Sequence, residues 1–198
     1  MTWDVVSKLD VGNWGVWKNS KFSGTRPALL EEVLNLAKDG RYIYVEVKPG
    51  PEIVPYIKDV FNRQSKATPK NTLFISFEEE TCKALKSVMP EYKVYWLTTG
   101  RRGKGKNSVP LKASALISTL KYIGADGIDC RFHSGDVTAE FIATIKKAGF
   151  EFHAWTIDDF ANMVEAFRRG AQSVTTNCAK KQLDSWNAMK ELIRNEML

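Results

Sequence analysis

The chain has no apolar run long enough to cross a membrane, no C-x-x-C pair, no glycine-rich phosphate loop and only two histidines. Each absence removes a class of function. A membrane-spanning helix needs about 20 consecutive apolar residues. The N-terminus, Met1-Thr2-Trp3-Asp4, has neither the basic nor the apolar region of a secretory signal. The compartment is therefore unassigned: cytoplasmic as the chain stands, exported if a signal peptide precedes Met1. Cys82, Cys130 and Cys178 are odd in number and far apart, which argues against a disulfide framework and against a cysteine zinc site. They read as buried or incidental thiols in a reducing compartment. The net charge of +6 and pI near 9.2 favour anionic partners, but the excess is not concentrated in one long run.

The 198 residues are 43% hydrophobic, enough for one domain with a substantial core. Six segments read as strands: Tyr42–Val47, Thr72–Phe77, Lys93–Leu97, Gly127–Arg131, Phe150–Trp155 and Ser173–Thr176. The segments between them have helical periodicity. Helices are expected over Glu52–Arg63, Glu78–Val88, Ala113–Ile123, Val137–Ala148, Asp158–Arg169 and Lys180–Met197, with an earlier one over Ala28–Ala37 behind Pro27. Gly40, Gly124, Gly149 and Gly170 are placed as helix stops.

A strand followed by a helix, repeated roughly every 25–30 residues, means parallel βα units. Two architectures compete, an open doubly wound sheet and a (β/α)8 barrel. The doubly wound reading expects a glycine-rich turn after an early strand, and Pro49-Gly50-Pro51 cannot supply its run of free N–H groups. Polar residues instead follow nearly every strand: Glu46 and Lys48, Ser76, Arg101 and Arg102, Arg131 and His133, Trp155 and Thr156, Asn177. That recurrence suits a barrel, whose site is assembled from several strand ends. The expected fold is therefore α/β, of the (β/α)8 TIM-barrel type. It is partial, with about six of eight βα units in a single domain over 1–198: a leader over 1–26 and βα repeats over 27–198.

The first strand carries the strongest local signal. In Ile43-Tyr44-Val45-Glu46-Val47-Lys48-Pro49-Gly50 the period of two puts Tyr44, Glu46 and Lys48 on one side. Opposite charges on one face of a buried strand imply work at its end.

In this order the residues resemble the glycerophosphodiester phosphodiesterase family, TIM-barrel enzymes that cut glycerophosphodiesters into glycerol 3-phosphate and an alcohol. Leu9-Asp10-Val11-Gly12-Asn13-Trp14, Phe22 and Arg26-Pro27-Ala28-Leu29-Leu30-Glu31-Glu32-Val33-Leu34 look like the family's passage into its second barrel helix. Val45-Glu46-Val47-Lys48 resembles its I-E-I-K strand, and Ile75-Ser76-Phe77 its S-F strand end. Gly124-Ala125-Asp126-Gly127, His153-Ala154-Trp155-Thr156-Ile157-Asp158-Asp159 and Gly170-Ala171 with Val174-Thr175-Thr176-Asn177 follow in register. The family's opening H-R-G strand, its E-x-D strand and its H-D pair have no counterpart in this sequence. His133 and His153 fall on late strands and do not match the family's catalytic pair.

The resemblance implies metal-assisted hydrolysis in glycerophospholipid metabolism, with Ca2+ or Mg2+ as cofactor and a small phosphodiester as substrate. It implies Glu46 as metal ligand, Lys48 as the charge against the substrate phosphate, and Trp155 as a wall for the glycerol or alcohol. No catalytic residue is assigned, since the family's histidines have no match. The alternative for Glu46 and Lys48 is a plain ion pair, and for Trp155 core packing. His153, one layer deeper, is read as a hydrogen-bonded core histidine. A truncated or degenerate homologue acting as a non-catalytic phosphate-ester binding module is the second reading of function. Self-association to cover open sheet edges is a third expectation. Thr98-Thr99-Gly100-Arg101-Arg102-Gly103-Lys104-Gly105-Lys106-Asn107 is expected as a flexible basic loop on the catalytic side. It lacks the interleaved aromatics of a nucleic-acid surface, so no specific nucleic acid is expected. Trp14, Trp17 and Phe22 are either a cover over one barrel end or exposed apolar surface.

Overall fold

The computed structural model describes residues 1–64, 66–103, 108–133 and 135–196, with side chains assigned to 191. The chain divides into two compact units: Met1–Ile43 with Tyr56–Thr72, and Tyr44–Pro55 with Leu73–Leu198.

The first unit holds the leader, two short helices, α1 (Trp3–Val6) and α2 (Leu30–Leu34), and most of α3 (Val54–Asn62). The leader is tied by Asp10, whose carboxylate accepts from Gly12 N at 3.0 Å and Gly24 N at 2.8 Å. A β-carbon on Gly12 would lie 1.8 Å from the backbone oxygen of Phe22, so only glycine fits that approach. Glu32 reaches back to Leu29 N at 2.8 Å and ion-pairs with Arg26. That pairing, led by the Arg26 hydrogen bond, holds the Glu32 carboxyl down at about 2. Trp14, Trp17 and Phe22 are all exposed, with Trp17 and Phe22 in edge-to-face contact at 5.4 Å. Helix α2 is half the expected length and ends at Leu34. Gly40 therefore caps no helix, although its φ of +75° is left-handed.

The second unit carries the sheet. Its strands are β1 (Ile43–Glu46), β2 (Thr72–Ser76), β3 (Lys93–Thr98), β6 (Gly127–Arg131), β7 (Glu151–Trp155) and β8 (Ser173–Val174). A separate two-stranded ribbon, β4 (Arg101–Arg102) and β5 (Val109–Pro110), lies between β3 and β6 in the chain. All six expected strands form, each within three residues of its expected ends. Helices α4 (Glu79–Val88), α5 (Ala113–Ile123), α6 (Ala139–Lys147), α7 (Phe160–Arg168) and α8 (Ala179–Glu196) alternate with them. The sequence places α8's end at Met197, which lies outside the described residues.

The strand order β1-β2-β3-β6-β7-β8 runs in one direction without reversal. A doubly wound sheet reverses at a switch point, whereas a barrel wall does not. The sheet also curls. Strands β2 and β7 are three strand spacings apart, about 14 Å if the sheet were flat. Yet Phe77 and Trp155 meet edge-to-face at 5.7 Å between ring centroids. The result is a parallel half-barrel of six strands, the partial TIM-type fold expected.

Alternation along the strands separates two faces. Val94, Ile128, Cys130, Phe152 and Ala154 are fully buried on the convex face, where α4 packs on β3 and α6 on β7. Helix α5 buries Leu116, Leu120 and Ile123 and stops at Gly124, whose φ is +69°. Tyr95, Asp129, His153 and Trp155 belong to the concave face. Gly127 lies between Tyr95 and Glu151 in register, and a β-carbon there would come within 2.4 Å of the Glu151 carbonyl oxygen. With no side chain intervening, the Tyr95 and His153 rings meet over β6 at 4.2 Å.

Candidate active site

The C-terminal end of the half-barrel is built by four strands. On β1, Val47 N–H donates to Ile75 O at 2.8 Å. That bond keeps the chain extended past Glu46 and sets Lys48 level with Phe77, one alternation step on. Lys48 is 77% exposed and its Nζ stands 3.8 Å from Glu46 Oε2. The pair is loose, and an exposed ion pair of this kind contributes about 0–1 kcal/mol. The ammonium is therefore open to an anion from solution.

Strands β6 and β7 supply the aromatic and cationic parts. Arg131 is in register with Trp155 and is exposed at the strand end. The Trp155 indole N–H donates to the carbonyl of Asp129 at 3.0 Å, which folds the ring over β6. Phe77 closes edge-on against that ring. Lys48 and Arg131 at the rim, with Trp155 and Phe77 beside them, suit a small anion carrying an apolar or polyol group.

Below the rim the concave face is polar and buried. Asp129 is 1% exposed, and its Oδ1 has no hydrogen-bond partner among the described residues. Burial alone pushes its carboxyl up to about 7. In register on β7, His153 is 5% exposed. Its Nδ1 contacts Ser173 Oγ at 2.5 Å, while Nε2 lacks a hydrogen-bond partner and stands 3.5 Å from Glu151 Oε2. Burial lowers the His153 pKa and Glu151 opposes that, so the ring is neutral at neutral pH. Burial raises Glu151, but hydrogen bonds from Lys93 and Tyr95 outweigh it and hold the carboxyl below its ordinary value. His153 is a core histidine, as read.

The basic segment after β3 differs from the expected flexible loop. Arg101 and Arg102 pair antiparallel with Pro110 and Val109. Arg101 is committed to Asp136, and to Ser108 through Oγ at 3.1 Å and O at 2.7 Å. Arg102 remains exposed, while Lys104, Gly105, Lys106 and Asn107 lie outside the described residues. His133 is partly buried, and burial with nearby Arg131 lowers its pKa despite Asp136.

The residues around Glu46 do not fit a divalent cation. Among the described residues no cluster of three or more His, Cys, Asp or Glu side chains could hold one, and Ca2+ takes six to eight oxygens. Glu46 stands as a single carboxylate beside Lys48.

Several of the strand-end residues that carried the family resemblance turn out to hold the scaffold. Asp126 accepts Val94 N at 2.8 Å and pairs with Lys86 at 3.0 Å. Asp158 accepts from Thr176 Oγ1 at 2.9 Å and from Asn177 N at 2.7 Å, tying the ends of β7 and β8. Asp159 caps α7 through Asn162 N at 2.9 Å. Asp129 and Phe77 were missed as site candidates. Asp129 could have been found, since a lone carboxylate inside Gly127-Ile128-Asp129-Cys130 shares a face with Arg131.

Comparison with known proteins gives a consistent result. The model of the glycerophosphoryl diester phosphodiesterase family matches residues 1–181. No curated protein matches. Among solved structures, a glycerophosphodiester phosphodiesterase from Parabacteroides distasonis is similar at TM-score 0.70 and 20% identity, over 96% of this chain and 72% of that one. A phosphodiesterase from Oleispira antarctica, solved with the product sn-glycerol-3-phosphate, is similar at TM-score 0.75 and 19% identity, over 93% and 70%. A glycerophosphodiester phosphodiesterase from Thermotoga maritima is similar at TM-score 0.57 and 16% identity, over 83% and 64%. At these identities the structural likeness speaks to the fold.

Proposed function

The chain belongs to the glycerophosphoryl diester phosphodiesterase family, phosphoric diester hydrolases, and from that premise we propose that its strand-end rim recognises a glycerophosphodiester for hydrolysis to glycerol 3-phosphate and an alcohol. The observation that carries this reading is the arrangement of Lys48 and Arg131 on the same sheet end as the Phe77–Trp155 pair. Lys48 sets a compact point charge against the phosphate oxygens, and Arg131 offers a planar fork of donors. The indole of Trp155, held by its bond to Asp129 O, walls the glycerol or alcohol portion.

The family is generally divalent-metal dependent, and Glu46 is the carboxylate that matches its I-E-I-K strand. One carboxylate offers too few oxygens to retain Ca2+ or Mg2+ by itself. This favours a second reading, in which the rim binds phosphate esters without turning them over. That His153 is buried and paired with Ser173, away from the rim, favours it also.

Release of glycerol 3-phosphate from glycerophosphocholine and glycerophosphoethanolamine, with Ca2+ or Mg2+, separates the two. Metal-dependent turnover that Glu46→Ala abolishes supports hydrolysis by this chain with Glu46 as a ligand. Saturable binding with no turnover favours the binding module. No binding by a folded chain overturns both.

A further inference from the structure

Asp129 is the least explained polar group on the concave face. It is 1% exposed, Oδ1 has no partner among the described residues, and it lies in register with His153, whose Nε2 has only the Glu151 carboxylate 3.5 Å away. Native interiors satisfy the large majority of buried polar atoms, and a carboxyl left alone costs about 1–3 kcal/mol. An orphaned carboxyl oxygen, nine-tenths or more buried on this face, marks a place built for a polar ligand group. The position is also sheltered, because Trp155 bonds the Asp129 carbonyl and Phe77 closes against Trp155.

We infer that Asp129 is the hydroxyl-recognising floor of the phosphate-ester site, reached when the Phe77 ring swings away from Trp155. The inference rests on the reading of the rim as a phosphate-ester site. Asp129 lies two residues below Arg131 on one strand, about 6.6 Å at the strand rise. A three-carbon polyol attached to a phosphate at the rim spans that depth. Phe77 is 47% exposed, and side-chain rearrangement of this size is common on binding. Burial pushes the Asp129 carboxyl up to about 7, so a substantial share of it is protonated near neutral pH. A protonated carboxyl both donates and accepts, the complement of an alcohol. A cation is a poorer occupant, since no metal-holding cluster of side chains includes Asp129 among the described residues. The residue thus selects glycerol phosphates over phosphate esters of simple alcohols.

The test compares glycerol 3-phosphate with ethyl phosphate, which has the same charged group and no hydroxyl, by calorimetric titration of the full chain. The wild type is expected to prefer glycerol 3-phosphate by about tenfold or more. Asp129→Leu should lose the preference while keeping its affinity for ethyl phosphate within about twofold. Asp129→Asn, which retains a donor and an acceptor, should keep most of it. A wild type without preference, or a folded Asp129→Leu that retains it, overturns the inference and leaves the phosphate-ester reading standing. Failure of the wild type to bind either ligand overturns that reading and the inference with it. Should Asp129→Leu not fold, the carboxyl 13C resonance of Asp129 in the wild type decides. It should move with glycerol 3-phosphate and stay in place with ethyl phosphate, and an equal response to both counts against the floor.

Discussion

The indole N–H of Trp155 donates to the backbone carbonyl of Asp129 across 3.0 Å, which folds the ring over the strand that carries the buried Asp129 carboxyl. Burial of that carboxyl gives the strand a pH signature. The Asp129 carboxyl rises from its ordinary 3.8 to about 7 on burial. A group raised in the folded state contributes stability that is full below its unfolded pKa and is lost as pH rises through the folded one. The wild type should therefore lose stability relative to Asp129→Asn between pH 4 and pH 7. At about 1.36 kcal/mol per pH unit the loss is on the order of 4 kcal/mol. Glu151 and Asp158, both held below their ordinary values, pull the other way, which is why the comparison is with the variant. Urea melts across this range measure it, and parallel pH dependence in the two proteins would refute the assignment.

Lys48→Ala should weaken phosphate-ester binding by roughly tenfold and change stability by under about 0.5 kcal/mol. The side chain is exposed and its pairing with Glu46 spans 3.8 Å, so little folding energy depends on it. Titration of glycerol 3-phosphate at two salt concentrations, beside a urea melt, reads both quantities. A large loss of stability would assign Lys48 to the scaffold.

Gly127→Ala should destabilise the fold by roughly 1–3 kcal/mol or more, because its β-carbon would meet the Glu151 backbone oxygen at 2.4 Å. The strain falls on backbone, which cannot swing aside as a side chain could. A thermal melt of the variant matching wild type would show that β6 and β7 can separate at no cost.

The fold was largely legible because a strand in a parallel sheet is a short β-branched run, and each here is bounded by a turn residue or a helix cap. Gly124 and Gly127 bracket the start of β6, and Asp159 signals the start of α7 by the same chemistry that caps it. Helix α2 was overextended, since Leu36 and Ala37 continue the apolar pattern while the helix ends at Leu34. Glu46, Lys48 and Trp155 were readable as strand-end residues, because position at a strand end follows from the two-residue period. Their surroundings were not. The antiparallel ribbon that engages Arg101 depends on its contacts with Asp136 and Ser108. The meeting of Phe77 with Trp155 depends on the curl of the sheet, which local pattern does not encode. Asp126 and Asp158 fall inside motifs that carry the family resemblance, and their hydrogen-bond partners reveal them as ties between strands.

The most direct measurement is a calorimetric titration of glycerophosphocholine into the chain beside Lys48→Ala. Saturable binding that salt weakens, and that the variant loses by about tenfold, is the result expected of a rim that recognises the phosphodiester. No saturable binding by the folded protein, or equal binding by Lys48→Ala, would contradict it.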